Sequence, residues 1–258
     1  MKRRCVLLLF VLTCMGRLSL SAQQSPANPK PTISVNAIGT VSAKADIAIV
    51  LMTVRSTSPL AADALDQNNK KVEDVKARLT ALGYKGEQVK FTGNRFAPSG
   101  GAIYYRGDQR PTGFDVYDNV YIYFDGPELN DVTQFNKRVS SLLDELSKVG
   151  AAPSNMPISG SSMGGSSVVA FSVKDPGAYE KQATLQGLDK ARLLADEITR
   201  RMKVQVTGIE GTSVSTMGRS GIGGGPAGPL DEVPYEYFSS SMDEVPVRVR
   251  VYVQYTYK

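Results

Sequence analysis

The amino-acid sequence predicts an α+β fold in which antiparallel strands carry long amphipathic helices packed on the sheet. Two observations predict it. Several segments alternate apolar and polar residues with the period of a strand, and three others repeat apolar residues every three or four positions, the period of a helix.

The elements follow in order. Ile33 to Ile38 alternates as a half-buried strand should, with Gly39 interrupting it. Ile47 to Thr57 is a second β-like run, rich in Ile and Val. From Leu60 the period changes: Ala61, Leu65, Asn68, Val72, Val75, Leu79 and Leu82 form a helical stripe. Pro59 opens this helix, and Gly83 stands where a left-handed C-terminal cap needs a glycine. A helix over 60–82 is about 35 Å long. Strands are expected over 88–97 and 113–124, separated by a stretch, Ala97 to Thr112, too long for a tight hairpin. In the second strand Phe114, Val116, Val120, Ile122 and Phe124 share a face with Asp118 as the exception.

A helix near 130–149 carries Val132, Phe135, Val139, Leu142, Leu146 and Val149 as its apolar stripe. A Gly/Ser-rich stretch leads to a strand at 167–173, then a long helix at 177–202 and a strand at 204–216. A Gly/Pro-rich insert fills Met217 to Pro246, and the chain closes on the strict alternation of 247–257. Both halves therefore read strand, helix, strand, insert, strand. That order suggests two pseudo-repeats, 32–126 and 150–258, joined by the helix near 130–149.

The first 22 residues read as a secretory signal peptide: Lys2, Arg3 and Arg4, a short apolar core, then small residues ending at Ala22, with cleavage before Gln23. The apolar core is too short to span a bilayer stably. A flexible spacer, 23–31, precedes the folded part, 32–258. Both cysteines, Cys5 and Cys14, lie in the leader, and the chain has neither His nor Trp. The part from Gln23 onward thus lacks most of the usual nucleophilic and metal-binding side chains. The leader also carries four of the 30 basic residues, leaving 26 against 25 acidic ones, a net of +1 in place of +5. That balance, with Lys and Arg scattered, sets nucleic-acid binding aside. No other apolar run suggests a transmembrane helix, and an outer-membrane barrel is disfavoured by three long helices and a strand count near or below the minimum of about eight.

Several stretches in order resemble the SIMPL (DUF541) family. They are Ile33 to Val41 followed by Ala45-Asp46-Ile47-Ala48, Ala64 to Asn68, Gln88 to Thr92, Gly113 to Val120, and Ala191 to Ala195. Ala45 replaces a usual proline, and Asn36 and Ala37 stand near an expected glycine. The resemblance covers about 32–257. It implies an exported envelope protein of the periplasm or outer-membrane periphery of a Gram-negative bacterium, without established catalysis and without a cofactor. It also implies a connection with stress defence, assembly as a homo-oligomer, and envelope proteins as partners.

Motifs with chemical meaning are few. Gly160-Ser161-Ser162-Met163-Gly164 spells a nucleophile elbow, which needs a base. No histidine exists, so a serine hydrolase built on Ser162 would depend on a lysine such as Lys174 or Lys181. Gly218 to Gly225 lacks the Lys-Ser/Thr ending of a phosphate loop. Asp144-Glu145, Asp196-Glu197 and Asp231-Glu232 read as solvated surface, and no calcium-loop pattern is present. Asp46 and Asp118 read as a turn cap and a hydrogen-bonded structural carboxylate. Tyr104, Tyr105, Tyr235, Tyr237 and Phe238 lie in the two inserts and are the candidate protein–protein contacts, because tyrosine buries area at small entropic cost.

Overall fold

The computed structural model describes residues 31–99, 112–157, 166–218 and 233–258. The chain runs β1 (Thr32–Ala43), β2 (Ile47–Ser58), α1 (Ala61–Ala81), β3 (Val89–Phe91), β4 (Arg95–Ser99) and β5 (Gly113–Asp125). Next come α2 (Val132–Lys148), β6 (Ala151–Pro153), β7 (Met156–Pro157), β8 (Ser166–Ser167) and β9 (Val169–Ser172), then α3 (Gly177–Met202), β10 (Val206–Thr216) and β11 (Val245–Tyr257). All strand pairs are antiparallel. The fold is the expected α+β arrangement, with two main sheets and a two-stranded β7–β8 ribbon.

The larger sheet is centred on β2 and β5, paired from Ile47↔Asp125 to Ser58↔Phe114. β3 and β4 flank β5, while β9 and β6 flank β2. Its helix-bearing face, Ala48, Val50, Met52, Val120, Ile122 and Phe124, meets Val72, Val75 and Leu79 of α1 and Phe135, Val139, Leu142 and Leu146 of α2. Phe124 is the hub, edge-on to both Tyr84 and Phe135 with centroids 5.9 and 5.4 Å apart. The opposite face is covered as well: Ile49, Leu51 and Tyr121 pack with Met156, Ala170, Val233 and Phe238. Burial on both faces explains why the first half of β2 is continuously apolar instead of alternating.

The caps follow from the sequence. Gly83 has φ +87°. Its N–H donates to Thr80 and that of Tyr84 to Leu79, closing the Schellman motif that a glycine there allows. Asp131 caps α2, its Oδ1 accepting from Gln134 N at 3.0 Å. The expected strand over 88–97 is two pieces, β3 and β4. Between them Asp118 Oδ1 accepts from Thr92 N, Thr92 Oγ1 and Gly93 N at 2.9–3.1 Å, while Thr92 N also reaches the Asn119 carbonyl at 3.1 Å, so the side chain of Asp118 takes over where the ladder ends.

The smaller sheet has the order β1-β11-β10. β1 and β11 pair without a break from Thr32↔Thr256 to Ala43↔Val245. Ile33, Val35 and Ala37 with Val249, Val251 and Val253 form the face that α3 covers. Gly39 does not interrupt β1, contrary to expectation, because it is the point at which the helix crosses. A Cβ there would lie 1.7 Å from the Ala183 carbonyl oxygen, and one at Gly187 would lie 2.7 Å from Val251. The buried stripe of α3, Ala183, Gly187, Ala191, Ala195 and Thr199, is small for the same reason.

The division into pseudo-repeats 32–126 and 150–258 does not follow sheet membership. The order β4-β5-β2 in one sheet matches β10-β11-β1 in the other, so the N-terminal strand completes the C-terminal unit. The strand before α3, β9, pairs with β2 instead. The reason is length and pattern: β1 offers twelve residues alternating in step with β11, whereas β9 has four, with Ala170 and Phe171 buried on opposite faces.

Candidate functional site

The aromatic candidates divide. Tyr104 and Tyr105 lie outside the described residues, as do Ala22 and Gln23 at the expected cleavage point and the whole Gly160–Gly164 stretch. Tyr237 and Phe238 are 2 % and 1 % exposed and pack inside the chain, so they do not offer the open aromatic surface expected of contact residues. Phe171 and Ser239 exchange both backbone hydrogen bonds, at 2.8 and 2.9 Å, and Ser172 Oγ donates to the Tyr237 carbonyl at 2.6 Å. These bonds strap the segment across the larger sheet, so Phe238 becomes part of its second apolar face. Tyr237 Oη donates to Glu180 Oε1 at 2.8 Å at the start of α3, and burial first, then Glu180, pushes its ionisation up.

Tyr235 is half-buried and meets Tyr123 edge-on at 6.3 Å. Burial raises the Tyr123 phenol to about 12, and its Oη is enclosed without a hydrogen-bond partner among the described residues. Beside this pair, the registers Ile47↔Asp125 and Ile47↔Ser172 bring Asp46, Asp125 and Lys174 to one end of the larger sheet. Asp46 Oδ1 accepts from Lys174 N at 2.8 Å, a long-range bond that ties β2 to the chain after β9 in place of the local turn cap expected of it. Lys174 Nζ donates to Asp125 Oδ1 at 2.6 Å, and this bond holds the ammonium above the usual lysine range. A lysine held in its protonated form is a poor general base, so the environment of Lys174 works against the role that a Ser162 nucleophile would require of it. Lys181 is exposed on α3.

Several other carboxylates are bound within the chain. Asp118 is 3 % exposed and is the hydrogen-bonded carboxylate of the β3–β4 corner. Asp115, on the other face of β5, accepts from Arg55 at 2.5 Å and Thr57 Oγ1 at 2.5 Å. The hydrogen bonds from Arg55 and then Thr57 hold its carboxyl below the usual range. Glu145 pairs with Arg78 and Lys148, Asp196 with Arg192, and Glu197 with Arg200 and Arg201. Asp231 and Glu232 lie outside the described residues. Among the described residues no group of three or more Asp or Glu is placed to hold a metal. A pocket of about 20 Å³ lies between Met217, Glu236, Tyr237, Phe238, Pro246 and Arg248. It is far below the few hundred Å³ of a typical small-molecule site.

A different feature escaped the sequence reading. The smaller sheet and its helix carry large apolar side chains in the open: Leu193 is 69 % exposed, Ile209 60 %, Leu185 55 % and Val214 50 %. Ile209 and Val214 belong to β10, an outer strand of the sheet, and pair with Tyr255 and Val251 on the helix side. α3 lies over β1 and β11 and covers little of β10, so these side chains stay uncovered. No described helix is long and apolar enough to cross a membrane.

The family model of SIMPL, described as a protein of unknown function (DUF541), matches residues 33–257, which takes in every strand and helix of both sheets except the first residue of β1. No curated protein matches the chain. The chain belongs to the SIMPL family.

Proposed function

We propose that this SIMPL-family chain is an exported, non-enzymatic protein of the bacterial envelope, in the periplasm or at the periphery of the outer membrane, which works as a homo-oligomeric structural or stress-related assembly. The observation that carries the assembly is the uncovered apolar pair on the helix side of β10, Ile209 and Val214, on an outer strand of the smaller sheet. Exposed apolar surface gathered on one side of a protein marks an interaction surface more often than scattered single residues do. Export is supported by the leader, with its basic start, short apolar core and small residues up to Ala22. A non-enzymatic role is supported by residue chemistry: the chain from Gln23 has no His or Cys, and Lys174, one of the two candidate lysines, is bound to a carboxylate. Envelope proteins as further partners belong to the same reading.

The test is expression of the full chain in a Gram-negative host, followed by fractionation, mass spectrometry of the N-terminus and native mass. The expected result is a periplasmic or envelope-associated protein starting at Gln23 with a native mass that is a whole multiple, two or greater, of one chain. An uncut chain in the cytoplasm overturns export, and labelling of Ser162 by a fluorophosphonate probe overturns the non-enzymatic role.

A further inference from the structure

We infer that the outer edge of β10 is where a second copy of this chain adds its own β10, antiparallel and across a two-fold axis; this rests on the assembly reading above. The two edges of the smaller sheet are treated differently. At the β1 edge, Gln186 Oε1 accepts from Thr40 N at 2.7 Å, and Lys190 Nζ donates to the Ile38 carbonyl at 3.1 Å, so α3 closes that edge with its own side chains. At the β10 edge, no strand pairs beyond β10 among the described residues. A long uncovered edge offers a row of backbone donors and acceptors to another strand.

Edges that must stay single are blunted by proline, lysine, bulges or inward charges. β10 has no Pro, Lys or Arg, and its one charge is Glu210. Its two irregularities fall at Val206/Gly208 and Ile209/Gly211, in its first half. From Thr212↔Val253 to Thr216↔Val249 the register is unbroken, so 212–216 presents a regular, uncharged edge.

This stretch reads Thr212-Ser213-Val214-Ser215-Thr216, a palindrome. In an antiparallel pair centred on Val214, valine lies beside valine, each Ser213 beside the other copy's Ser215, and each Thr212 beside the other copy's Thr216. Every cross-strand pair is then like with like and free of charge, which is the self-complementarity an isologous two-fold contact requires. Both copies present the helix side of β10 on the same side of the joined sheet, so the exposed Val214 side chains cover each other. The product is one six-stranded sheet, three strands from each copy.

The test uses the chain from Gln23, which has no cysteine of its own. Val214→Cys places two thiols at the two-fold axis, and Leu193→Cys on the outward side of α3 is the control. Mild oxidation of the assembled protein is expected to convert most of V214C, and little of L193C, to a covalent dimer. Val214→Lys, at a half-exposed position that tolerates a lysine, is expected to keep the wild-type circular dichroism, to lower the native mass by at least half and to speed amide exchange at 212–216. An assembly that keeps its mass in V214K and does not cross-link in V214C overturns this edge while leaving the assembly standing. Slow exchange at 212–216 in a monomeric V214K overturns it in favour of a segment of the same chain. A wild-type monomer overturns both readings together.

Discussion

The two sheets are built to the same order and covered differently. The larger one is covered on both faces, by α1 and α2 on one side and by the strap ending in Phe238 on the other. The smaller one is covered on one face by a single helix of small residues, and its other face holds Ser34, Asn36, Tyr252 and Gln254 toward solvent. A sheet buried twice is committed to stability, because its core cannot be approached without unfolding it. A sheet buried once keeps an open face and an open edge, which is what association requires.

The largest expected effect lies in the twice-buried sheet. Phe124→Ala removes the ring on which Tyr84 and Phe135 rest, and should cost about 3–5 kcal/mol in chemical denaturation. Gly39→Ala comes next. Its methyl has to displace the backbone of α3, an overpacking cost of about 2–3 kcal/mol. Hydrogen exchange should rise in 177–202 and stay unchanged in α1 and α2. If exchange rises equally in all three helices, the two layers are one unit and the comparison fails.

Asp115→Asn should have a smaller effect, about 1 kcal/mol, because Arg55 is largely solvent-exposed and screened. The folded carboxyl lies below its unfolded value, so this contribution is present above the ordinary carboxylate range and is lost as pH falls through the folded value. The wild type should therefore lose its advantage over the variant in acid, measured as denaturation midpoints against pH. Leu193→Gln should change folding stability least, within about 0.5 kcal/mol, as suits a side chain 69 % exposed. A loss of several kcal/mol there would place Leu193 in a core and not on the open face of α3.

Much of this architecture was legible in local patterns. The stripe through Val72, Val75 and Leu79, the cap at Gly83, the alternation of 247–257 and the long helix at 177–202 are short-range signals, and the structure keeps each of them. Pairing was not legible. The alternation in β1 fits either sheet equally well, and only β11, more than 200 residues away, decides between them. Tyr237 and Phe238 read as contact residues because an aromatic pair in an insert carries no mark of whether it folds back; the Phe171–Ser239 bridge decides that. Asp118 read correctly as structural, since a carboxylate on an apolar face needs donors, and the chain supplies Thr92 and Gly93. The Thr212–Thr216 palindrome stood in the sequence throughout. It acquires meaning only once the topology makes β10 an edge.

Association through the once-buried sheet, at the β10 edge, requires more than one chain in the native particle. Light scattering on the chain from Gln23 at micromolar concentration tests it most directly. The expected result is a single species with a mass that is a whole multiple, two or greater, of one chain. A species with the mass of one chain contradicts the claim.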